Sequence, residues 1–268
     1  MGGDVPDSRT YPRTRRFTTY GRGVPAADPA APARGLLLDI GGVVLAAGPV
    51  LVNDLAAREP AVAAVVGPLG GLAGPGDDLW RQMLAGEVSE RAYWAQRGAE
   101  VAGALGVGGD RGPTRALMDL LYRGPQHEWL RAETVALMRE VKAAGLGLAA
   151  LTNDMADFHG DAWVAQQDWL RLFDTVVDAS KTGVLKPDPR AYAAAVEAMG
   201  LPPEQIVYLD DMPWNVDGGL AAGLRAVPMP HGDTTATLHD VRALLGLPRN
   251  GPAATDGTMR PSAAPAAR

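Results

Sequence analysis

Short apolar runs alternate with helical stretches along the middle of this chain, and three of the runs stop abruptly at polar residues. Gly35-Leu36-Leu37-Leu38 ends at Asp39, the run 146–151 ends at Thr152-Asn153, and the run 206–209 ends at Asp210-Asp211. Two more runs, 174–177 and 224–227, complete the set. An unbroken apolar run of this length is what a strand buried on both faces requires. Between the runs, residues 131–144 have helical spacing with Gly145 as a stop. Helices are also expected from about Pro187 to Met199 before Gly200, over 213–222 before Gly223, and over 234–245. Strand–helix alternation of this kind demands a parallel sheet with right-handed crossovers and helices on both faces, an α/β, Rossmann-like architecture. Such a sheet binds ligands beyond the carboxyl ends of its strands. The polar strand ends should therefore meet, although they are far apart in the chain.

The alternation breaks between residues 49 and 122. Helical stretches near 77–85, 89–104 and 113–122 are separated there by Gly and Pro. This segment reads as a small all-helical cap, 49–122, inserted into a core made of 35–48 and 123–248. A chain of 268 residues has room for both. Residues 1–34 carry Arg, Pro and Gly without hydrophobic periodicity and are expected to form a disordered arm. Residues 249–268 are expected to form a second disordered tail. The pair Arg15-Arg16 lacks the apolar stretch that an export signal needs after it. No apolar run approaches the roughly 18–20 residues that span a bilayer, so no membrane association is expected.

Charge and composition exclude several chemistries. The net charge is 25 − 31 = −6, which gives no basic footprint for nucleic acid. The absence of Cys removes disulfides, Cys-ligated zinc and thiol nucleophiles together. It is compatible with a reducing compartment, and a cytoplasmic location is expected. His127, His159, His231 and His239 do not fall at the spacing of a His-rich metal site.

The remaining candidates sit at the strand ends. Asp39, followed by Ile40-Gly41-Gly42, is an approachable carboxylate beside backbone that can turn its N–H groups toward an anion. It can serve as a nucleophile or a Mg²⁺ ligand, or it can simply cap a turn. Thr152 and Asn153 can donate to phosphate oxygens or cap a helix. Asp210 and Asp211 are adjacent acids that repel each other and call for a cation, unless they only decorate a helix N-terminus. Only three of the basic residues are Lys: Lys142, Lys181 and Lys186. Where Arg does nearly all the basic work, a Lys just before a helix start raises the question of whether an ammonium is chemically required.

Taken in order, these segments resemble the haloacid dehalogenase (HAD)-like hydrolase superfamily, in the branch with a helical cap after the first strand. The resemblance covers residues 35–230. LLLDIGGVVL, ALTN, GVLKPDPRAY and VYLDDMPWNVDGGLAAGL look like its four motifs in turn. The pattern is similar to sugar-phosphate phosphatases and to the amino-terminal phosphatase domain of soluble epoxide hydrolases. It implies a Mg²⁺-dependent phosphatase of small phosphorylated metabolites that works through an aspartyl-phosphate. Asp39 would be the nucleophile, and Thr152, Asn153 and Lys186 would hold the phosphoryl group. Asp39, the Gly41 carbonyl, Asp210 and Asp211 would bind the metal, and Asn215 has an open role. A homodimer is compatible with the pattern.

One position departs from the family. Phosphatases of this type usually carry a second Asp two residues after the nucleophile, where it acts as general acid and base. This chain has Gly41 there. Asp154 and His159 are the replacements the sequence offers. Two other readings follow from the departure: a 2-haloacid dehalogenase, whose halide leaving group needs no proton, or a HAD-fold binding or regulatory protein with little turnover. In the cap, Trp80, Tyr93 and Trp94 read as packing residues. Arg81 and Arg91 read either as anion contacts or as solvated charges.

Overall fold

Five strands build the sheet of this computed structural model, in which residues 31–108 and 112–248 are described. They are β1 (Gly35–Leu38), β2 (Gly147–Thr152), β3 (Thr175–Asp178), β4 (Ile206–Asp210) and β5 (Arg225–Pro228). All neighbours pair in parallel, in the order β3-β2-β1-β4-β5. The expected α/β Rossmann-like architecture is therefore present. β1 lies at the centre with β2 and β4 on either side, so Asp39, Thr152 and Asp210 come out at one edge.

Both faces of the central strands are covered, which explains their unbroken apolar character. Leu36, Leu38, Leu148, Ala150, Val207 and Leu209 belong to one buried cluster, and Leu37, Ala149, Leu151, Ile206 and Tyr208 to the other. Alternate residues of each strand thus serve opposite faces.

The helices before β2 are α1 (Gly48–Ala56), α2 (Pro60–Val66), α3 (Asp78–Leu84), α4 (Glu90–Ala104), α5 (Pro113–Leu121), α6 (Gln126–Trp129) and α7 (Ala132–Ala143). Later come α8 (Met155–His159), α9 (Asp161–Val164), α10 (Ala179–Thr182), α11 (Pro189–Met199), α12 (Pro213–Ala221) and α13 (Thr235–Leu244). The helices expected from periodicity are found within a residue or two. Not expected were α1, α2 and the short helices α6, α8, α9 and α10. Both α1 and α2 carry Pro in the first turn. There the missing N–H has no partner to lose and the fixed φ suits the helix, so Pro acts as a start rather than a break.

Residues 31–34, placed by sequence in the N-terminal arm, lie against the core. Ala33 is buried and donates to the Leu244 carbonyl at 2.8 Å, while Arg34 donates to Gln205 at 2.8 Å and accepts from Gly147 at 3.0 Å. The ladder around β1 thus extends just ahead of the strand. The rest of the arm and the tail from residue 249 lie outside the described residues. Among the described residues, no helix is long and apolar enough to cross a membrane.

Helices α1–α5 lie in sequence between β1 and α7, and their core is continuous with one face of the sheet. Val52, Val62, Tyr93, Val101 and Leu117 join the same buried cluster as Leu36 and Leu38. Within this layer Asp77 is fully buried and paired with Arg97. It also accepts from the Tyr93 hydroxyl at 2.9 Å and from the backbone N–H groups of Ala73 and Trp80 at 3.1 and 3.2 Å. These bonds satisfy a buried charge that would otherwise be costly. They also lock the loop before α3 onto α4.

The contact between α4 and α5 depends on Gly98, where a β-carbon would stand 3.0 Å from the Thr114 Cα, a backbone atom. Gly98→Leu should destabilise the fold by about 1–3 kcal/mol through overpacking. Gly103→Ala, on the same helix in open space, should be neutral or stabilising by up to ~1 kcal/mol. Denaturant unfolding of both variants checks the contrast. Equal effects would show that the α4–α5 packing is not as described.

Candidate active site

Lys186 organises the edge of the sheet. Its side chain is almost fully buried, and its Nζ lies 3.0 Å from Asp39 Oδ1 and 2.6 Å from Asp210 Oδ2. Burial works to lower the lysine pKa, but Asp210 and Asp39 outweigh it and hold it well above the ordinary value. The ammonium stays charged, as two flanking carboxylates require.

Each partner is fixed by its own element. The Asp39 N–H continues the β1–β4 ladder by donating to Leu209 at 2.9 Å. The Asp39 Oδ1 accepts from the Ile40 N–H at 2.7 Å. Asp210 is the last residue of β4 and is fully buried. Its Oδ2 takes the Lys186 ammonium and the Tyr208 hydroxyl. Its Oδ1 takes the Met212 N–H at 2.9 Å and the Asn215 amide at 3.0 Å. Asp210 is thus nearly saturated with donors. Asn153 holds the lysine's backbone from the other side: its Oδ1 accepts from the Lys186 N–H at 2.8 Å, and its Nδ2 donates to the Lys186 carbonyl at 3.2 Å. That places Asn153 in lysine positioning, beside the phosphate contact expected of it.

Gly42 shows how closely the turn after β1 approaches the acids. Its φ is +71°, and a β-carbon there would fall 2.1 Å from Asp211 Oδ2. Only Gly satisfies both constraints. Asp211 itself is held by His231, whose Nε2 lies 2.9 Å from Oδ2. The His231 ring meets Trp80 of α3 edge-on at 5.9 Å, and its carbonyl accepts from Arg131 at 2.9 Å.

Asp39, Asp210 and Asp211 offer ligand atoms within 4.8 Å of one another and could hold a metal ion. Burial pushes Asp39 well above the ordinary carboxylate range; Lys186 pulls it back, and Asp210 and Asp211 add to the rise. Burial also raises Asp211, against the pull of His231. Three carboxylates facing one ammonium therefore carry excess negative charge. Among the described residues, the buried Asn215 Oδ1 on the same wall also has no hydrogen-bond partner. This donor set suits a hard cation with oxygen ligands.

Next to the acids lies a cavity of about 70 Å³. Asp39, Gly41, Thr152, Asn153, Lys186 and Asn215 line its core side, so most of the predicted site residues do converge. Asp154, Met155, Phe158 and His159 form a second wall. The last wall was not legible in the sequence: Glu90, the first residue of α4.

The two replacement acids offered by the sequence are otherwise engaged. Asp154 Oδ1 accepts from Arg91 Nε at 2.6 Å, and Arg91 also reaches Asp157 at 3.0 Å. Arg91 is thus a clasp between α4 and the core rather than a free anion contact. His159 stacks on Trp163 with ring centroids 4.2 Å apart, and burial together with Arg115 pushes its pKa down to about 3. It is neutral near pH 7. Trp80, Tyr93 and Trp94 are buried packing residues, as expected, and Arg81 pairs with Asp78 at the surface.

The comparisons with known proteins now bear on this geometry. Residues 33–223 match the family of haloacid dehalogenase-like hydrolases. The chain is 26% identical over 221 residues to acyl-CoA dehydrogenase family member 10 of Mus musculus, covering 80% of this chain and 19% of that protein. It is 32% identical over 127 residues to phosphoserine phosphatase of Thermus thermophilus, covering 47% and 51%. It is 26% identical over 151 residues to (S)-2-haloacid dehalogenase H-109 of Pseudomonas putida, covering 52% and 65%. The chain thus spans less than two thirds of the length of each of these relatives.

Removing the buried ammonium tests the charge balance. Lys186→Met should destabilise the fold by roughly 3–5 kcal/mol near pH 7, because two buried carboxylates lose their partner. The folded pKa of Asp39, already raised by burial, then rises further above the unfolded one. The resulting penalty is full above the folded pKa and vanishes as pH falls toward the unfolded value. Unfolding free energies should show the deficit shrinking between pH 7 and pH 5. A deficit independent of pH would contradict the assignment.

Proposed function

Because the chain belongs to the haloacid dehalogenase-like hydrolase family, we propose that it is a Mg²⁺-dependent phosphatase of a small phosphorylated metabolite, working through an aspartyl-phosphate. The observation that carries this reading is the acid trio. Asp39, Asp210 and Asp211 converge within 4.8 Å, with Lys186 between the first two, a donor set that suits a hard cation. Displacement of halide from carbon needs no metal.

Asp39 is the nucleophile. Its carboxylate stands at the mouth of the central strand, held by the Ile40 N–H and Lys186, so one oxygen is fixed and the other is free to attack phosphorus. Lys186 and the Thr152 hydroxyl receive the phosphoryl oxygens. Lys186 also pulls the Asp39 pKa back down against the rise that burial causes. Asp211, Asp39 and the Gly41 carbonyl would hold the Mg²⁺, and Asp210, nearly saturated with donors, would support the site from behind. When bound, the cation neutralises charge on the phosphoryl group. Water then attacks phosphorus and releases Asp39 as carboxylate.

The cavity of about 70 Å³ lies beside the acids. The contacts that join the α3–α4 layer to the core around it are Arg91 with Asp154 and Asp157, and Trp80 with His231. This layer excludes water during transfer.

The second reading, a haloacid dehalogenase, is favoured by Gly41, since halide needs no general acid. Turnover in ¹⁸O-labelled water separates the two. Attack on phosphorus places the label in the released phosphate, whereas a dehalogenase's ester at Asp39 is opened at its carbonyl carbon and labels Asp39.

Hydrolysis of p-nitrophenyl phosphate should require Mg²⁺, stop on chelation, and be abolished in Asp39→Asn. Metal-dependent turnover that survives Asp39→Asn would sink this mechanism. Lys186→Arg should lose most activity, because a planar guanidinium does not fit between two carboxylates shaped around an ammonium. Lys142→Arg and Lys181→Arg should be nearly silent, since Lys142 pairs with Asp174 and Lys181 with Asp161 at partly or largely exposed positions.

A further inference from the structure

The space beside Gly41 is open. A β-carbon built there would meet nothing within 4 Å, and the position needs no left-handed backbone. Gly41 and Glu90 line the same cavity. From this juxtaposition we propose that Glu90, carried by α4, is the general acid and base of the reaction, acting from the cap side where the strand side has only Gly41. The inference rests on the phosphatase reading above.

Three observations support it. First, the position of Glu90 is built. Ser89 caps α4 by accepting from the Ala92 N–H at 3.2 Å, and the next residue, Arg91, clasps Asp154. Glu90 is thus fixed between a helix cap and an interdomain ion pair. A Glu in the first turn ordinarily offsets the helix dipole from the surface; this one lines the site instead. Second, its surroundings favour the protonated form. Burial raises its pKa well above the ordinary value, and Asp211, Asp154, Asp39 and Asp210 add to the rise. These acids face it from the ends of β1, β2 and β4, with Lys186 and neutral His159 on the same cavity walls. A protonated carboxyl is what a departing alkoxide needs. Third, the other titratable groups on the cavity wall have fixed employment: Asp154 with Arg91, His159 as a neutral stacked ring, and Lys186 between two carboxylates.

The proton balance closes. As Asp39 attacks phosphorus and the P–O bond to the leaving group breaks, Glu90 gives its proton to the leaving oxygen and the alcohol departs. Glu90 is then a carboxylate. It takes a proton from the water that attacks the aspartyl-phosphate, inorganic phosphate forms, and Asp39 returns as carboxylate with Glu90 protonated again.

The test compares two esters. p-Nitrophenolate leaves without a proton, whereas an alkoxide needs one. Glu90→Gln should lower kcat/KM for a simple alkyl phosphate by about 10²–10⁴-fold, with a loss under about tenfold for p-nitrophenyl phosphate. A retained kcat/KM for the aryl ester shows that the variant is folded, while kcat falls with both esters because the shared aspartyl-phosphate has lost its general base. Adding Gly41→Asp in the Glu90→Gln background, where space is open, should restore part of the alkyl phosphate activity. Equal loss of kcat/KM with both esters, or no loss, would overturn the assignment of Glu90 while leaving the phosphatase reading standing. A wild-type protein that hydrolyses neither ester with Mg²⁺ present would overturn that reading and this proposal with it.

Discussion

One buried ammonium between two buried carboxylates sets the terms for the rest of this structure. Lys186 sits between Asp39 and Asp210 at the ends of adjacent strands, where none of the three could be tolerated alone. The surroundings are arranged to make the group affordable. Tyr208, Met212 and Asn215 saturate Asp210, and Asn153 grips the lysine's backbone from the end of β2. The loop leading into α11 is thereby tied to three strands at once. The same contacts that hold the sheet edge together also orient Asp39, the proposed nucleophile, and Lys186 opposes the rise in its pKa.

The balance is incomplete, and that is where function enters. Asp211, so close to the turn after β1 that only Gly42 fits, adds a third carboxylate without a second ammonium. Glu90, at the start of α4, and Asp154, after β2, bring further acids. Such a site favours a cation and raises the pKa of the Glu90 carboxyl. Both effects suit phosphoryl transfer: charge neutralisation for the incoming phosphate, and a proton for the leaving oxygen. The α3–α4 layer contributes an ion pair, Arg91 with Asp154 and Asp157, and an aromatic contact, Trp80 with His231, beside the site.

Much of this was legible in the sequence because parallel strands buried on both faces write a continuous apolar run, and their polar ends stand out against it. Asp39, Thr152 and Asp210 could be found that way, and Lys186 was marked by the scarcity of lysine. Other features left no local trace. Glu90 follows a helix-capping Ser, and that context reads as ordinary helix-start chemistry; only tertiary packing turns it toward the cavity. His231 contacts Asp211 from a loop with no motif around it. Asn153 looks like a ligand residue until its amide is seen clamped on the Lys186 backbone. Helices α1 and α2 were hidden because their prolines, at first-turn positions, resemble breaks. The arginines were undecidable by sequence, since a charge on a helix face is the same whether it meets solvent or, as with Arg91, clasps two acids on the core.

The central claim is that Asp39 carries the phosphoryl group covalently. Quenching the enzyme during turnover of a phosphate ester and reducing with borohydride converts an acyl phosphate to the corresponding alcohol, so an aspartyl-phosphate becomes homoserine. Peptide mass spectrometry should find homoserine at position 39, only when substrate and Mg²⁺ are both present. Robust turnover with unmodified Asp39, or with the modification at another acid, would contradict the account.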